Sequence, residues 1–293
     1  MPLKIAVLST VGTSLLRNIE ENLDRLTLNE GSREVFGNRA KPPSRLPIDD
    51  GLQGLFERWS VEGGEVLEDA VKALSRDPAG FSAELNSLIA FAKSLPARHV
   101  IGELRLQFYP TDTGTSKFCA RALTEYLRRF QGEFKGLMGM PTNSALVIDD
   151  PITLRGFGRG AEWFREGLTD LMDKFVGSIV RLRRSGYKVV VNPTGGFKPE
   201  SAYLTVIAML AGAWKVVYIH ETFRYVVELP ALPITLDSRY VKILGGKPTL
   251  DELRLSGLDP EDLRDNGIID VKDGEVEVRE WFKRLMELMA NAE

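Results

Sequence analysis

The chain has 293 residues, 43% hydrophobic and 27% charged, which supports a sizeable core and exceeds one average domain. Its 38 Lys and Arg against 41 Asp and Glu leave a formal charge of −3, which removes bulk electrostatics as a reason to expect DNA or RNA binding. Cys119, the one cysteine, cannot form an internal disulfide, and with two histidines it builds no zinc cluster. No apolar run reaches the roughly 18 residues of a spanning helix. The opening MPLKIAVLST has no small-residue cleavage site and reads as a strand, so a soluble, cytoplasmic protein without a membrane partner is expected.

In chain order, Lys4–Ser9 is a short apolar strand, and Leu15–Leu26 reads as a helix. Continuous apolar strands of this kind are buried on both faces, as in parallel sheets. Residues 30–65, with Pro42, Pro43 and Pro47, read as a loop or helical excursion, and 66–95 as helix interrupted at Asp77-Pro78. Leu104–Tyr109 is the next strand, followed by a helix through Phe130 and a strand at Ala145–Ile148. Over 161–184, Phe164, Leu168, Leu171, Phe175, Ile179 and Leu182 recur at steps of three and four, one apolar helical face ending in Arg183, Arg184 and Gly186. Strand Tyr187–Val191, a helix from about Pro199 to Gly212 and strand Lys215–His220 complete a βαβ unit.

The expected fold is therefore α/β: a Rossmann-like, mostly parallel sheet flanked by helices over 1–244, with a partly helical excursion at about 30–98. Residues 245–293 predict two short helices, a hairpin turning at Asp273-Gly274 and a last helix, a small winged-helix-like α+β appendage. From 247 onward it holds 13 acidic and seven basic residues, so packing or dimerisation is favoured there over DNA binding.

Three strand-to-helix junctions are rich in small polar residues. The first holds Thr10, Gly12, Thr13 and Ser14, the second Thr111, Asp112, Thr113 and Ser116, and the third Asn192, Thr194, Gly195, Gly196, Phe197 and Lys198. In open parallel sheets ligands bind beyond the carboxyl ends of the strands, where small residues let backbone N–H groups approach an anion at a helix N-terminus. Three such junctions, one with a lysine, point to a phosphate-bearing ligand. Competing motifs fail. Gly156-Phe-Gly-Arg-Gly160 is not G-x-G-x-x-G and reads as a loop, and neither a Walker lysine loop nor G-x-S-x-G occurs. His99 and His220 read as structural, Cys119 as core, and Asp149-Asp150 as a solvated turn.

Ser9-Thr-Val-Gly-Thr-Ser-Leu-Leu16, Tyr109-Pro-Thr-Asp-Thr113, Asn192-Pro-Thr-Gly-Gly-Phe-Lys198, Tyr218-Ile-His-Glu221 and Leu229-Pro-Ala-Leu-Pro233 together resemble the CRISPR-associated Rossmann fold (CARF) domain. Within that group the chain is similar to archaeal stand-alone CARF proteins that include ring nucleases, a likeness Ser82-Ala-Glu-Leu-Asn-Ser87 shares. It extends over residues 1 to about 240. The resemblance implies a homodimer binding one cyclic oligoadenylate, most often cyclic tetra-adenylate, across its two-fold axis. Many family members fire a HEPN ribonuclease, whose motif is Arg, four to six residues, His. Upstream of His99 stand Ala92, Lys93 and Ser94, and upstream of His220 stand Ala213, Trp214 and Lys215, so that effector is excluded.

Three functions stay open: a ring nuclease, a non-catalytic sensor or regulator acting through the tail, and an unrelated nucleotide-binding enzyme. For the first, the ligand's own 2′-hydroxyl attacks its 3′-phosphate, and the protein aligns the atoms and stabilises charge without metal or cofactor. Lys198 suits charge stabilisation. Ser14 matches the family position that lines the scissile phosphate. The other residues of the three junctions would bind the ligand.

Overall fold

The computed structural model describes residues 2–157, 163–196, 198–219 and 225–290, with the side chains of Phe164, Arg165, Lys198 and Pro199 outside the description. Six strands form one sheet: β1 (Leu3–Val11), β2 (Ile101–Pro110), β3 (Ala145–Ile148), β4 (Lys188–Asn192), β5 (Lys215–Ile219) and β6 (Val226–Leu229). Their spatial order is β3-β2-β1-β4-β5-β6. β1 to β5 are parallel, and β6 pairs antiparallel with β5. The fold is α/β, as expected, and β6 is an element that the sequence reading lacks.

Successive strand residues alternate between faces. Ile5 and Val7 of β1 join Leu104, Leu106 and Phe108 of β2 in one core cluster, covered by excursion residues such as Phe36, Phe56, Leu67 and Phe91. Ala6 and Leu8 join Val189 and Val191 of β4 in a second cluster, covered by the helices after β3 and β4. Both faces are closed, which is why these strands are continuous apolar runs.

The excursion is more regular than expected. It holds helices Glu30–Phe36, Leu52–Glu62, Glu65–Arg76, Pro78–Phe81 and Ala83–Ser94, and a 3-10 turn at Pro43–Arg45. The first helix stops at Glu21 instead of Leu26, and a 3-10 turn follows at Leu23–Arg25. Over 161–184 the described helix is interrupted: Phe164–Leu171 and Gly177–Arg184 flank a π turn at Met172–Val176. Leu171, Phe175 and Ile179 step by four twice, more than the roughly 3.6 residues of an α-helical turn. The wider turn keeps all three at 0% exposure against the sheet.

Beyond 245 lie helices Leu250–Leu255 and Pro260–Asp265, strands β7 (Ile269–Lys272) and β8 (Glu275–Val278), and helix Glu280–Ala290. The two strands form a small antiparallel sheet turning at Asp273 and Gly274, both at positive φ, as a type I′ two-residue hairpin loop requires. Leu253, Leu263, Phe282 and Leu285 join Phe175 and Leu204 in the second core cluster, so the tail packs on the main sheet's helical layer. Arg284 pairs with Asp173 across that contact. Among the described residues no helix is long and apolar enough to cross a membrane.

Candidate functional site

In the order β3-β2-β1-β4-β5-β6 the chain winds outward in both directions from β1 and β4. The connections leaving these two strands therefore diverge to opposite faces, and a crevice opens between their carboxyl ends. Ser9 and Asn192 are register partners at that end, so the first and third junctions emerge side by side.

Their loops touch backbone to backbone. A Cβ on Gly195 would stand 2.6 Å from the Gly12 nitrogen and 2.3 Å from Glu84 Oε1, so only glycine fits. Thr10 Oγ1 donates to the Gly195 carbonyl. Asn192, 0% exposed, donates through Nδ2 to Ser9 Oγ at 3.1 Å and to the Glu84 carbonyl at 3.4 Å. Its Oδ1 accepts from Thr194 Oγ1 at 2.5 Å, and Thr194 Oγ1 accepts the Ile219 N–H at 3.3 Å. Polar side chains at the strand ends thus fix both loops.

The crevice holds a cavity of about 280 Å³, lined among others by Gly12, Ser14, Arg17, Arg45, Glu84 and Gly196. Arg17 lies one turn after Ser14 on helix Ser14–Glu21, hence on the same face. Arg45 comes from the excursion. Its 3-10 turn is fastened to that helix, with Ser44 N and Oγ donating to the Glu20 carboxylate at 2.7 and 2.6 Å. Thr13 Oγ1 donates to the Ser44 carbonyl at 2.9 Å. Two guanidiniums beside a glycine-lined backbone suit a phosphate-bearing guest.

Glu84, 1% exposed, is the acidic group of this cavity. Its Oε1 accepts the Gly12 N–H at 2.9 Å, and its Oε2 accepts Ser14 Oγ at 2.9 Å and Ser82 Oγ at 2.8 Å. The N–H of Gly12, which sequence reasoning offers to a ligand anion, is thus held by a carboxylate of the protein. Lys198 opens helix Lys198–Leu210, directly after the third junction. Its side chain, like Phe197 as a whole, lies outside the described residues.

The second junction is arranged differently. Thr113 caps helix Gly114–Arg129 by accepting the Ser116 N–H at 3.3 Å. Ser116 Oγ accepts from Thr111 N at 3.1 Å and donates to the Val11 carbonyl at 2.7 Å. Asp112 faces another cavity, of about 630 Å³, with Arg155 and Asp170, and accepts the Gly156 N–H at 3.1 Å. The structure unites the first and third junctions in one cavity and leaves Asp112 in a second.

The remaining candidates are structural where they are described. Tyr109 is fully buried, its ring 4.6 Å from Phe175. Burial pushes the Cys119 thiol well above its ordinary pKa, which makes it unreactive. Asp149 takes a two-point contact from Arg105, at 2.6 and 2.9 Å, and Asp150 pairs with Arg128 at 2.8 Å. The His99 ring packs edge-on to Trp214, 6.0 Å between centroids, whereas His220 and residues 158–160 of the glycine loop lie outside the described residues. Among the described residues no three His, Cys, Asp or Glu side chains group as a metal site would need.

Sequence reasoning overlooks Arg17, Arg45, Glu20 and Glu84. The spacing of Ser14 and Arg17 on one helix face is a signal for the first, and Glu84 lies inside the family-like Ser82–Ser87 stretch, whereas Arg45 and Glu20 carry no such signal.

A family described as CRISPR-associated protein (Cas_APE2256) matches the chain over residues 79–232, just over half its length. The matched stretch includes Glu84 and both loops that follow β2 and β4, and excludes the loop after β1.

Proposed function

The chain belongs to this CRISPR-associated family, and from that premise we propose that it is a ring nuclease, which binds and cleaves a cyclic oligoadenylate, most simply cyclic tetra-adenylate. The observation that carries the proposal is the cavity at the β1/β4 crevice, with Arg17 and Arg45 beside the Gly12 and Gly195–Gly196 backbones. At about 280 Å³ it falls just below the usual range of about 300–1,000 Å³ for whole small-ligand pockets. One protomer would hold part of the ring, and a two-fold homodimer would complete the groove, since each copy meets chemically identical halves of the ligand.

The chemistry asks for no protein nucleophile. A ribose 2′-hydroxyl attacks its own 3′-phosphate, the 5′-oxygen of the next nucleotide leaves, and the product ends in a 2′,3′-cyclic phosphate. The arginines would hold ring phosphates, and Lys198, at the start of helix Lys198–Leu210, would balance charge on the phosphorane. Ser14 would align the reacting atoms.

Incubation of the protein with radiolabelled cyclic tetra-adenylate in EDTA, with the products separated, tests this. Linear di-adenylate ending in a 2′,3′-cyclic phosphate is expected. A ring that binds and stays intact over hours at high temperature would leave a sensor instead.

A further inference from the structure

Around Ser14 the hydrogen-bond directions are fixed. Its Oγ donates to Glu84 Oε2 at 2.9 Å and accepts the Ala83 N–H at 3.2 Å. Glu84 cannot swing away from this contact. Its Oε1 is held by the Gly12 N–H at 2.9 Å, and its Oε2 also takes Ser82 Oγ at 2.8 Å. Ser82 is fixed in turn, because its Oγ accepts the Leu85 N–H at 3.2 Å as the cap of helix Ala83–Ser94. A serine hydroxyl has one proton and two lone pairs. Here the proton and one lone pair are engaged, so what Ser14 retains is a single acceptor site.

A phosphate oxygen offers only lone pairs, and a serine held this way has no proton for it. A ribose hydroxyl brings a proton. We propose that Glu84 is a positioning residue which turns Ser14 into an acceptor for the ligand's 2′-hydroxyl, the attacking group, and receives its proton through Ser14. The inference rests on the ring-cleavage proposal and adds to it a direction of proton flow. As the 2′-oxygen bonds to phosphorus, its O–H bond breaks and the proton passes to Ser14 Oγ, while Ser14's own proton passes to Glu84 Oε2. The bond from phosphorus to the 5′-oxygen breaks, that oxygen takes a proton from water, and Glu84 returns its proton to water. Protons balance, and no oxidant, reductant or metal is needed.

The test compares wild type, Ser14→Ala, Glu84→Gln and Glu84→Asp, using cyclic tetra-adenylate and its 2′-deoxy analogue. Removing the 2′-hydroxyl should weaken wild-type binding about tenfold, the scale of one hydrogen bond in a charged network, and Ser14→Ala binding by much less. Glu84→Gln should lose about 10²-fold in kcat, the lower end for general-base assistance, with ring Kd nearly unchanged. Glu84→Asp, which keeps the carboxylate, should restore part of the rate. A merely structural glutamate would change melting temperature and binding together, without a selective loss in kcat.

Wild-type cleavage by Glu84→Gln, or an equal 2′-deoxy penalty in wild type and Ser14→Ala, overturns the proposal. Where Glu84→Gln fails to fold, the wild-type and Ser14→Ala pair decides alone. A wild-type protein that leaves the ring intact ends the cleavage reading instead, and the 2′-deoxy penalty still decides the Ser14 contact.

Discussion

The loops after β1 and β4 and the loop after β2 are built from the same residue types, and the fold uses them oppositely. After β2, Thr113 and Ser116 bond within their own helix cap and to the Val11 carbonyl, and the loop becomes a strut. After β1 and β4, similar residues meet across the sheet's switch point, and the crevice between them gains two arginines and a buried carboxylate. Composition at a strand end therefore marks a tight junction. Which junctions meet at a crevice is decided by their place in the strand order.

The two kinds of junction should differ most in consequence at Lys198. Lys198→Ala should slow ring cleavage by about 10²–10³-fold, the scale of removing one transition-state donor, with a smaller loss of binding. Lys117→Ala, on helix Gly114–Arg129 beside the second junction, should leave the rate unchanged in the same cleavage assay. Next comes Gly195→Ala, whose Cβ would stand 2.6 Å from the Gly12 nitrogen. Overpacking of that kind should destabilise the fold by about 1–3 kcal/mol, read as a lowered thermal midpoint. Arg17→Ala and Arg45→Ala should each weaken ring binding about tenfold by titration calorimetry, as expected for one charged hydrogen bond. Arg155→Ala, in the neighbouring cavity, should not. Glu20→Ala, which frees the Ser44 turn, should behave as a milder Arg45→Ala. The smallest effect is none: EDTA should leave the cleavage rate where it was.

Much of the fold is legible in the sequence because burial on two faces writes itself as unbroken apolar runs, as in Ile5–Leu8 and Val189–Val191. Asp273-Gly274 is legible for a local reason, since Asp-Gly favours the positive φ that a type I′ hairpin loop needs at both positions. β6 is only faintly legible: Val226 and Val227 favour a strand, but a run of four residues is too short to stand out before it pairs with β5. The π turn is hidden in a helical pattern whose fours outnumber its threes. Gly12, Ser14, Thr194 and Gly196 can be found as small residues at strand ends. Glu84 lies 70 residues from the hydroxyl it holds, so their meeting is a product of packing that no local spacing encodes.

The sheet's outermost strands, β3 and β6, are each four residues long. An edge that short offers few unpaired backbone groups to a stranger's strand, and β6 carries Glu228, bound to Lys215 of its neighbour. The molecule is thus poorly suited to growing by strand addition, into either a continuous intermolecular sheet or a fibre. A two-fold dimer of this chain is therefore expected to form through loops and helices, where shape and charge select the partner.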